Sequence, residues 1–171
     1  HTRYGTVTGV QTCALPISDD GGFLERWKAT KILRKRQLCS YIYRHIGILV
    51  DPDTMFDLHT TSIQGNKRLH LHALQLVAQY LRIKSGLTEG MAPRTVIFSG
   101  KAAPDDSMAK LIIRLIHGIA DTVNADPAMD GWLQVIFAPD YNTKIAQILI
   151  PSADLSQQIA LDRKSTRLNS S

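Results

Sequence analysis

The chain has 171 residues, of which 44% are hydrophobic and 20% charged, and its formal net charge is +5. This balance is typical of one globular domain and excludes a disordered chain. No apolar run reaches the roughly 18 residues that a membrane span needs. The two cysteines, Cys13 and Cys39, form neither a disulfide framework nor a metal motif. We therefore expect a cytoplasmic protein with no membrane partner and no metal.

The two ends of the chain differ from the rest. Residues 1–22 include the stretch TVTGVQTCALPIS, residues 162–171 include RKSTRLNSS, and neither end has the periodicity of a helix or a strand. Both stretches resemble sequencing-adaptor read-through at the ends of a short assembled DNA. We expect a non-native leader at 1–22, a native α/β domain at 23–161 and a non-native tail at 162–171.

Residues 23–45 predict one helix or a pair of helices, because apolar residues recur there at roughly helical spacing. These residues are Trp27, Ile32, Leu33, Leu38 and Ile42. Basic residues fill the gaps between positions 26 and 36, a pattern that raises the possibility of nucleic-acid binding. No aromatic residues alternate with the bases and no nucleic-acid motif accompanies them. We favour a solvated helix face and expect no nucleic-acid partner.

Strand and helix patterns alternate along the rest of the chain. Short β-branched or apolar runs predict strands at Met55–Thr60, Arg94–Ser99 and Leu133–Ala138. Helices are predicted at 67–85, at 105–124 and from 143 to 149, where Pro151 is expected to end the last one. The predicted inner faces contain Ala73, Val77 and Tyr80 on the first of these helices, and Met108, Leu111, Ile112, Leu115, Ile119 and Val123 on the second.

This alternation predicts a parallel sheet with helical crossovers, as part of a doubly wound α/β domain. Ligands of such sheets bind beyond the carboxyl ends of the strands, here residues 60–67, 99–106 and 138–143. The first of these loops has hydroxyls, amides and two bases, which suit either a phosphate site or a solvated polar loop. The second lacks the glycine spacing of a phosphate loop and favours a turn that leads into its helix. Tyr141, in the third, can contact a planar ligand or simply cap the core.

The histidines do not predict a metal site. His70 and His72 are two residues apart, so on a helix they face different ways. His45, His59 and His117 have no partner at ligand spacing. We interpret all five as structural.

Five stretches resemble the C-terminal domain of α-glucan (glycogen or starch) phosphorylases, in the right order and at the right spacing. The strongest is PRTVIFSGKAAPDDSMAKLIIRLI, around residues 94–115. The others are GILVDPDTMFD at 47–57, IADTVNAD at 119–126, the strand at 133–137 and IPSADLSQQI at 150–159. The resemblance covers residues 23–161 and implies one half of a two-domain, glycosyltransferase-like fold.

The resemblance implies a parent enzyme that moves a glucosyl unit from an α-1,4-glucan to phosphate and releases glucose 1-phosphate. It also implies pyridoxal phosphate as cofactor, and it is compatible with a homodimer. Lys67 falls on the family's lysine that binds the substrate phosphate, and Tyr141 falls on a tyrosine beside the cofactor. The family's Schiff-base lysine would follow the matched stretch, and we expect it to be absent from this chain.

The chain departs from the family where the first loop should be most basic. The family has Lys-Arg-Ile-His-Glu-Tyr-Lys-Arg-Gln there, and this chain has TSIQGNKRL at 61–69. Ser62 replaces a phosphate-binding arginine, and Asn142 replaces a second arginine. These replacements remove positive charge from the phosphate site, and together with the expected absence of the Schiff-base lysine they lead us to expect that the chain itself is inactive. Because Ser62, Gln64, Gly65 and Asn66 all depart from the pattern, a non-catalytic relative that binds glucan or cofactor stays open as an alternative.

Overall fold

The structure is a computed structural model that describes residues 20–60, 62–64 and 68–157. Within these described ranges, four helices and four strands alternate, with one short 3₁₀ turn at Pro127–Met129. In chain order they are α1 (Gly21–Ile46), β1 (Met55–Thr60), α2 (Leu69–Lys84), β2 (Arg94–Ser99), α3 (Ser107–Ala125), β3 (Leu133–Ala138), α4 (Thr143–Ser152) and β4 (Leu155–Ser156).

The strands form one parallel sheet in the order β3-β2-β1-β4. Asp57 on β1 pairs with Val96 on β2, and Val96 pairs with Val135 on β3. All three side chains therefore lie on one face of the sheet, and the next row lies on the other face. The predicted partial doubly wound sheet with helical crossovers is confirmed.

The two faces of the sheet are covered by different pairs of helices. Helices α2 and α3 pack on one face, in a cluster that includes Val96, Phe98 and Val135. Helices α1 and α4 pack on the other, in a cluster that includes Phe56, Leu58 and Ile97. This is a three-layer α/β/α arrangement, in which each face of the sheet is shielded from water.

The three predicted strands have the predicted bounds, and β4 is an additional strand with only two residues. The prediction that Pro151 ends α4 is wrong, because that helix continues to Ser152. A proline in the last turn of a helix removes only one hydrogen bond. Burial of Ile145 and Leu149 against the sheet keeps the segment helical.

The predicted inner faces are wrong in part. On α2, Val77 is 36% exposed while Leu76 is buried. On α3, the side chains of Met108, Leu111 and Leu115 are 44–58% exposed. The face of α3 that packs on the sheet contains Ala109, Ile112, Ile116, Ile119, Ala120 and Val123. Both helices have apolar residues around more than half of their circumference, so the periodicity did not determine which stripe meets the sheet.

The interpretation of the basic residues of α1 as a solvated face is wrong for Lys35, and Lys31 is half-buried. Lys35 is only 6% exposed, and its ammonium group donates to the carbonyl oxygen of Thr54 at 2.9 Å. It also pairs with the carboxylate of Asp154 and lies 4.8 Å from the ring centroid of Phe56. Lys31 donates to the carbonyl oxygens of Pro151 and Ala153. These two lysines therefore anchor α1 to the end of α4 and the start of β4.

Candidate functional site

The carboxyl edge of the sheet is where β1, β2 and β3 end next to one another. Thr60 and Ser99, the last residues of β1 and β2, are 3% and 2% exposed. The Ser99 hydroxyl donates to the carbonyl oxygen of Ala138 at the end of β3, at 2.9 Å. The Thr60 hydroxyl oxygen is buried and has no hydrogen-bond partner among the described residues. This edge therefore has one buried polar group that is not used within the described fold.

The loop after β1 is tied to the loop after β2. The backbone N–H of Ile63 donates to the carbonyl oxygen of Lys101 at 2.9 Å, and Ile63 forms a parallel bridge with Ala102. Ile63 is 2% exposed, whereas Ser62 and Gln64 are exposed. The structure thus brings the first two predicted ligand loops together. Lys67, the predicted phosphate ligand, lies outside the described residues, as do Gly65 and Asn66.

The loop after β2 has the predicted turn into its helix. The backbone N–H of Asp106 donates to the carbonyl oxygen of Ala103 at 3.2 Å. The Asp106 carboxylate then accepts from the backbone N–H of Ala109 at 2.8 Å and caps α3. A carboxylate in this place repels anions, in agreement with the prediction that this loop is not a phosphate loop.

Tyr141 lies in the short connection between β3 and α4. Its side chain is half-buried and packs against the apolar cluster between the sheet and helices α1 and α4. The next residue, Asn142, accepts from the backbone N–H of Ile145 at 3.1 Å and donates to the carbonyl oxygen of Asp140 at 2.8 Å. Asn142 is therefore used to cap α4.

Only β2 separates β1 from β3 in the sheet. The carboxyl ends of β1 and β3 therefore lie roughly 10 Å apart.

Sequence reasoning missed a buried polar cluster, which we call the histidine network: Asp57, His59, His72, Arg94 and Gln157. Its two imidazole rings come together from β1 and α2, and the two Nδ1 atoms are 3.2 Å apart. His59 is 2% exposed and His72 is 1% exposed. Ligand spacing along the sequence left His59 without a partner, because His72 is thirteen positions away and only the fold brings the two rings together.

The carboxylate of the histidine network has an uneven set of partners. Asp57 Oδ2 accepts from Arg94 Nη1 at 3.1 Å and from Gln157 Nε2 at 2.7 Å. His72 Nε2 lies 3.8 Å from the same oxygen, too far for a hydrogen bond. Asp57 Oδ1 and His72 Nε2 are buried without a hydrogen-bond partner among the described residues. The network is therefore only partly satisfied.

Burial controls the protonation of this network. It lowers the pKa of His59 to about 3, with a further contribution from His72. Burial also lowers the pKa of His72 to about 4, and the charge of Arg94 acts in the same direction. For Asp57, burial raises the pKa, while the charge of Arg94 and the hydrogen bond from Gln157 oppose that shift. Both imidazoles are thus neutral at physiological pH.

A pattern in the sequence could have drawn attention to this network. Side chains alternate between the faces of a strand. In MFDLHT at 55–60, the apolar Phe56 and Leu58 point one way, and the polar Asp57 and His59 point the other. Polar residues on the face of a buried strand need partners. The sequence nevertheless could not identify His72 as one of those partners.

A cavity of about 670 Å³ lies at the opposite, amino edge of the sheet. Asp126 in its wall accepts from Lys84 Nζ at 2.8 Å and from the Tyr80 hydroxyl at 2.7 Å. The hydrogen bond from Lys84 is the main cause that lowers the pKa of Asp126 to about 2. Asn124 bonds to both the N–H and the carbonyl of Val135. These polar groups are used within the fold, and we assign the cavity no role.

Within the described ranges, no set of three or more His, Cys, Asp or Glu side chains is arranged to hold a metal ion. None of the helices in that part of the chain is long and apolar enough to cross a membrane.

The sequence model of the carbohydrate phosphorylase family matches residues 11–166. Among curated relatives, glycogen phosphorylase of Chlamydia trachomatis is 43% identical over 146 residues, which are 85% of this chain and 18% of the relative. Glycogen phosphorylase of Synechocystis is 44% identical over 145 residues, 85% of this chain and 17% of the relative. The brain form of human glycogen phosphorylase is 40% identical over 146 residues, with the same two shares.

The chain therefore spans less than a fifth of the length of these relatives, 17–18%. The family match nevertheless covers most of the chain and includes every helix and strand that the structure describes. The parallel sheet also agrees with the half-domain that the family pattern implies. The chain belongs to the carbohydrate phosphorylase family.

Proposed function

We propose that this chain forms the phosphate-facing and cofactor-facing part of an α-glucan phosphorylase. The whole enzyme, in this proposal, acts in the cytoplasm and transfers a glucosyl unit from an α-1,4-glucan to phosphate, which gives glucose 1-phosphate. The observation that carries the proposal is the family match over residues 11–166. The parallel sheet supports it, because three strands end at one edge, where ligands of such sheets bind.

Lys67 is the proposed ligand of the substrate phosphate. It lies in the loop after β1, and Ile63 ties that loop to the end of β2. A lysine ammonium group on such a loop offers a flexible positive charge to a phosphate oxygen. Two other features support an anion nearby: the loop contributes no carboxylate between positions 61 and 68, and Arg68 follows Lys67 directly.

Tyr141 is the proposed contact to pyridoxal phosphate. The described residues fit this cofactor in part, because the edge offers a half-buried aromatic ring and, at Thr60, a buried hydroxyl without a partner. When bound in such an enzyme, the cofactor supplies a phosphate group for proton transfer. The proposal places the Schiff-base lysine outside this chain, so Tyr141 would orient the ring and exclude water without holding the cofactor covalently.

The chain by itself is proposed to be inactive, because its proposed site lacks the Schiff-base lysine and two positive charges. Ser62 and Asn142 stand where the family pattern has arginines, and Asn142 is already used as the cap of α4. A serine or asparagine cannot replace the charged, bidentate guanidinium group. Loss of one such contact lowers catalytic rates by roughly 10²–10³.

The same observation supports a second candidate, a non-catalytic relative that binds glucan or cofactor. Ser62, Gln64, Gly65 and Asn66 replace charged or aromatic residues of the family pattern. The two candidates differ in one respect. A damaged enzyme regains phosphorolysis when its missing charges are restored, whereas a binding protein does not.

A chimera tests both candidates. Residues 20–157 replace the matched segment in the Synechocystis glycogen phosphorylase, and glucose 1-phosphate release is measured. We expect weak activity from the chimera and a gain of at least 10² from Ser62→Arg with Asn142→Arg. In that background Lys67→Ala should raise the KM for phosphate, while Lys101→Ala on the neighbouring loop serves as the matched control. No gain from the two arginines would favour the binding protein.

A direct assay tests the prediction for the chain alone. The purified chain should release no glucose 1-phosphate from glycogen and phosphate. After incubation with pyridoxal phosphate and dialysis, it should retain no cofactor absorbance. Retained absorbance would contradict the proposal that the Schiff-base lysine lies outside the chain.

A further inference from the structure

We propose that the groove between α2 and α3 binds an acidic amphipathic helix, which another part of the whole phosphorylase supplies. The inference rests on the proposed function, because it takes this chain as part of a longer enzyme. The chemistry of the groove can also be tested apart from that enzyme. Six exposed side chains, three from each helix, define what we call the apolar groove: Leu74, Val77, Leu81, Met108, Leu111 and Leu115.

These exposed residues form one apolar stripe on each helix. They stand at positions 74, 77 and 81 of α2 and at positions 108, 111 and 115 of α3, so both stripes have i, i+3, i+7 spacing. Their exposed fractions range from 36% for Val77 to 59% for Leu74. Each stripe spans two turns, or roughly 10 Å of helix. Single apolar residues are ordinary on a protein surface, whereas a contiguous set marks an interaction site.

The fold places the two helices side by side. Helices α2 and α3 pack on the same face of the sheet and connect neighbouring parallel strands. Such crossovers are right-handed, which puts α3 on the clockwise side of α2 when both helices are viewed from their N-termini with the sheet below. The helices contact each other, and the Tyr80 hydroxyl of α2 donates to Asp126, directly after α3, at 2.7 Å.

Helical geometry turns the two stripes toward each other. Successive residues advance by about 100°, clockwise in the same view. The stripe of α2 lies clockwise of the buried face that contains Ala73 and Leu76, and it therefore faces α3. The stripe of α3 lies anticlockwise of the buried face that contains Ile112 and Ile116, and it therefore faces α2. Together the stripes line one continuous groove.

The charges on α2 and α3 indicate the kind of partner. The two helices contain four basic residues and one acidic residue: Arg82, Lys84, Lys110, Arg114 and Asp121. Lys84 pairs with Asp126, whereas the described residues offer no ion pair to Arg82 or Arg114. By their helical positions, both arginines lie on the outer crests beside the groove. A helix in the groove would lie between these two positive charges, which favours carboxylates on its flanks.

A second copy of this chain does not match these charges. Symmetric pairing of two grooves would bring Arg82 and Arg114 of one copy close to the same arginines of the other. Helix α1 also has exposed apolar residues, but it contains seven basic residues and one acidic residue. The matched segment is 17–18% of the length of the curated relatives, so most of such an enzyme is left to supply the helix.

The first experiment measures thiol labelling, peptide by peptide, in the full chain and in the Synechocystis chimera. Leu111→Cys should react at least about tenfold more slowly in the chimera, because a docked helix covers this position. Gln75→Cys, an exposed position on the side of α2 away from the groove, is the matched control and should react equally in both. Equal rates for Leu111→Cys in both proteins, or equal slowing at both positions, would overturn the proposal.

The labelling result does not depend on catalysis. A chimera that releases no glucose 1-phosphate, even with its arginines restored, but protects Leu111→Cys would refute the enzyme as the proposed function and leave the groove assignment standing. A chimera that gains activity without this protection would refute the groove assignment alone.

The second experiment uses the chain alone and covers the case in which the chimera does not fold. The probe is a fluorescein-labelled peptide of about 18 residues, long enough to form a helix, with leucines at i, i+3, i+7 spacing and glutamates on both flanks. Fluorescence anisotropy should show binding that Leu111→Lys abolishes, Arg114→Glu weakens severalfold and Gln75→Lys leaves unchanged. A matched peptide with lysines in place of the glutamates should bind at least about tenfold more weakly. Equal binding of the two peptides, or no binding of the acidic one, would overturn the proposal.

Sedimentation velocity tests the remaining occupant. The full chain should sediment as a monomer, and Leu111→Lys should leave its sedimentation coefficient unchanged. A dimer that Leu111→Lys dissociates would show that a second copy fills the groove, and would overturn the proposal.

Discussion

Two polar networks in this fold differ in how completely their hydrogen bonds are made. The lysine network consists of Lys35, Thr54 and Asp154. Its ammonium group contacts a carboxylate and a carbonyl, and Asp154 Oδ2 also accepts from the backbone N–H of Phe56 at 2.8 Å. The histidine network, in contrast, leaves Asp57 Oδ1 and His72 Nε2 without partners among the described residues.

This difference indicates different roles. A polar network whose members are all bonded contributes a fixed geometry between elements, here between α1 and the segment that leads to β4. A buried network with unmade bonds costs free energy and persists in a fold for some other reason. In the histidine network the unmade bonds belong to Asp57 and His72, which are 0% and 1% exposed.

The largest expected effect comes from breaking the lysine network. Asp154→Ala leaves the buried ammonium group of Lys35 without its partly exposed carboxylate, and we expect the free energy of unfolding to fall by about 2 kcal/mol. Urea denaturation of the two proteins measures this. Asp53→Ala removes an exposed carboxylate from the turn before β1 and is the control. If both variants lose the same stability, the network does not anchor α1.

Acid should weaken the fold through the histidine network. The two histidines have pKa values of about 3 and about 4 in the folded chain, and about 6.5 when unfolded. Between pH 6.5 and 4 the unfolded chain therefore binds more protons. Stability is fully present above pH 6.5 and falls as the pH drops, by about 1.4 kcal/mol per pH unit for each extra proton.

This pH dependence is tested with a double variant that carries both His59→Asn and His72→Asn. The control is the single variant His117→Asn, at an exposed residue. Denaturation at several pH values should show a flatter profile for the double variant only. Asp57 has a raised pKa, so its contribution has the opposite sign and is common to all three proteins. The same slope in the double variant would show that the histidines are not protonated on unfolding.

The Asn142 cap of α4 provides a single helix-capping hydrogen bond, and the stability that it contributes can be compared with that of the two networks. Asn142→Ala removes the cap of α4, and we expect a loss of about 1 kcal/mol in thermal unfolding experiments. Asn142→Asp retains the acceptor and should retain the stability. A loss as large as that of Asp154→Ala would mean that Asn142 does more than cap the helix.

The smallest effect is expected from the unpaired hydroxyl of Thr60. Thr60→Val removes a group that makes no bond within the described fold, so stability should change by less than about 1 kcal/mol and in the stabilising direction. Thr54→Val is the matched control, because the Thr54 hydroxyl bonds to the Asp51 carbonyl at 2.8 Å and to the Thr95 hydroxyl at 2.7 Å. Thermal unfolding should rank Thr54→Val as clearly less stable than Thr60→Val.

Much of the fold was predictable because local patterns carry it. The strands at 94–99 and 133–138 are short β-branched runs bounded by turn residues, and the structure has the same bounds. The helix predicted at 105–124 begins close to its expected start, where the Asp106 carboxylate caps it by accepting the backbone N–H of Ala109. Signals of this kind depend on neighbours within a few residues, so the sequence contains them completely.

The candidate site was predictable only as a location. The carboxyl edge followed from the parallel topology, and Tyr141 lies there. The pairing of His59 with His72 was missed, because the two residues are thirteen positions apart and only the path of the loop brings them together. The burial of Lys35 was missed for a similar reason, since its partners Thr54 and Asp154 come from other elements.

The sequence by itself determined the alternation of strands and helices, the parallel sheet and the family, because each of these depends on local periodicity or on motifs read along the chain. Tertiary structure alone decided which stripe of α3 meets the sheet, which lysines of α1 are buried and which histidines touch. Those outcomes depend on packing between distant segments. The free energy of a buried charge or imidazole depends on the partners that the fold provides.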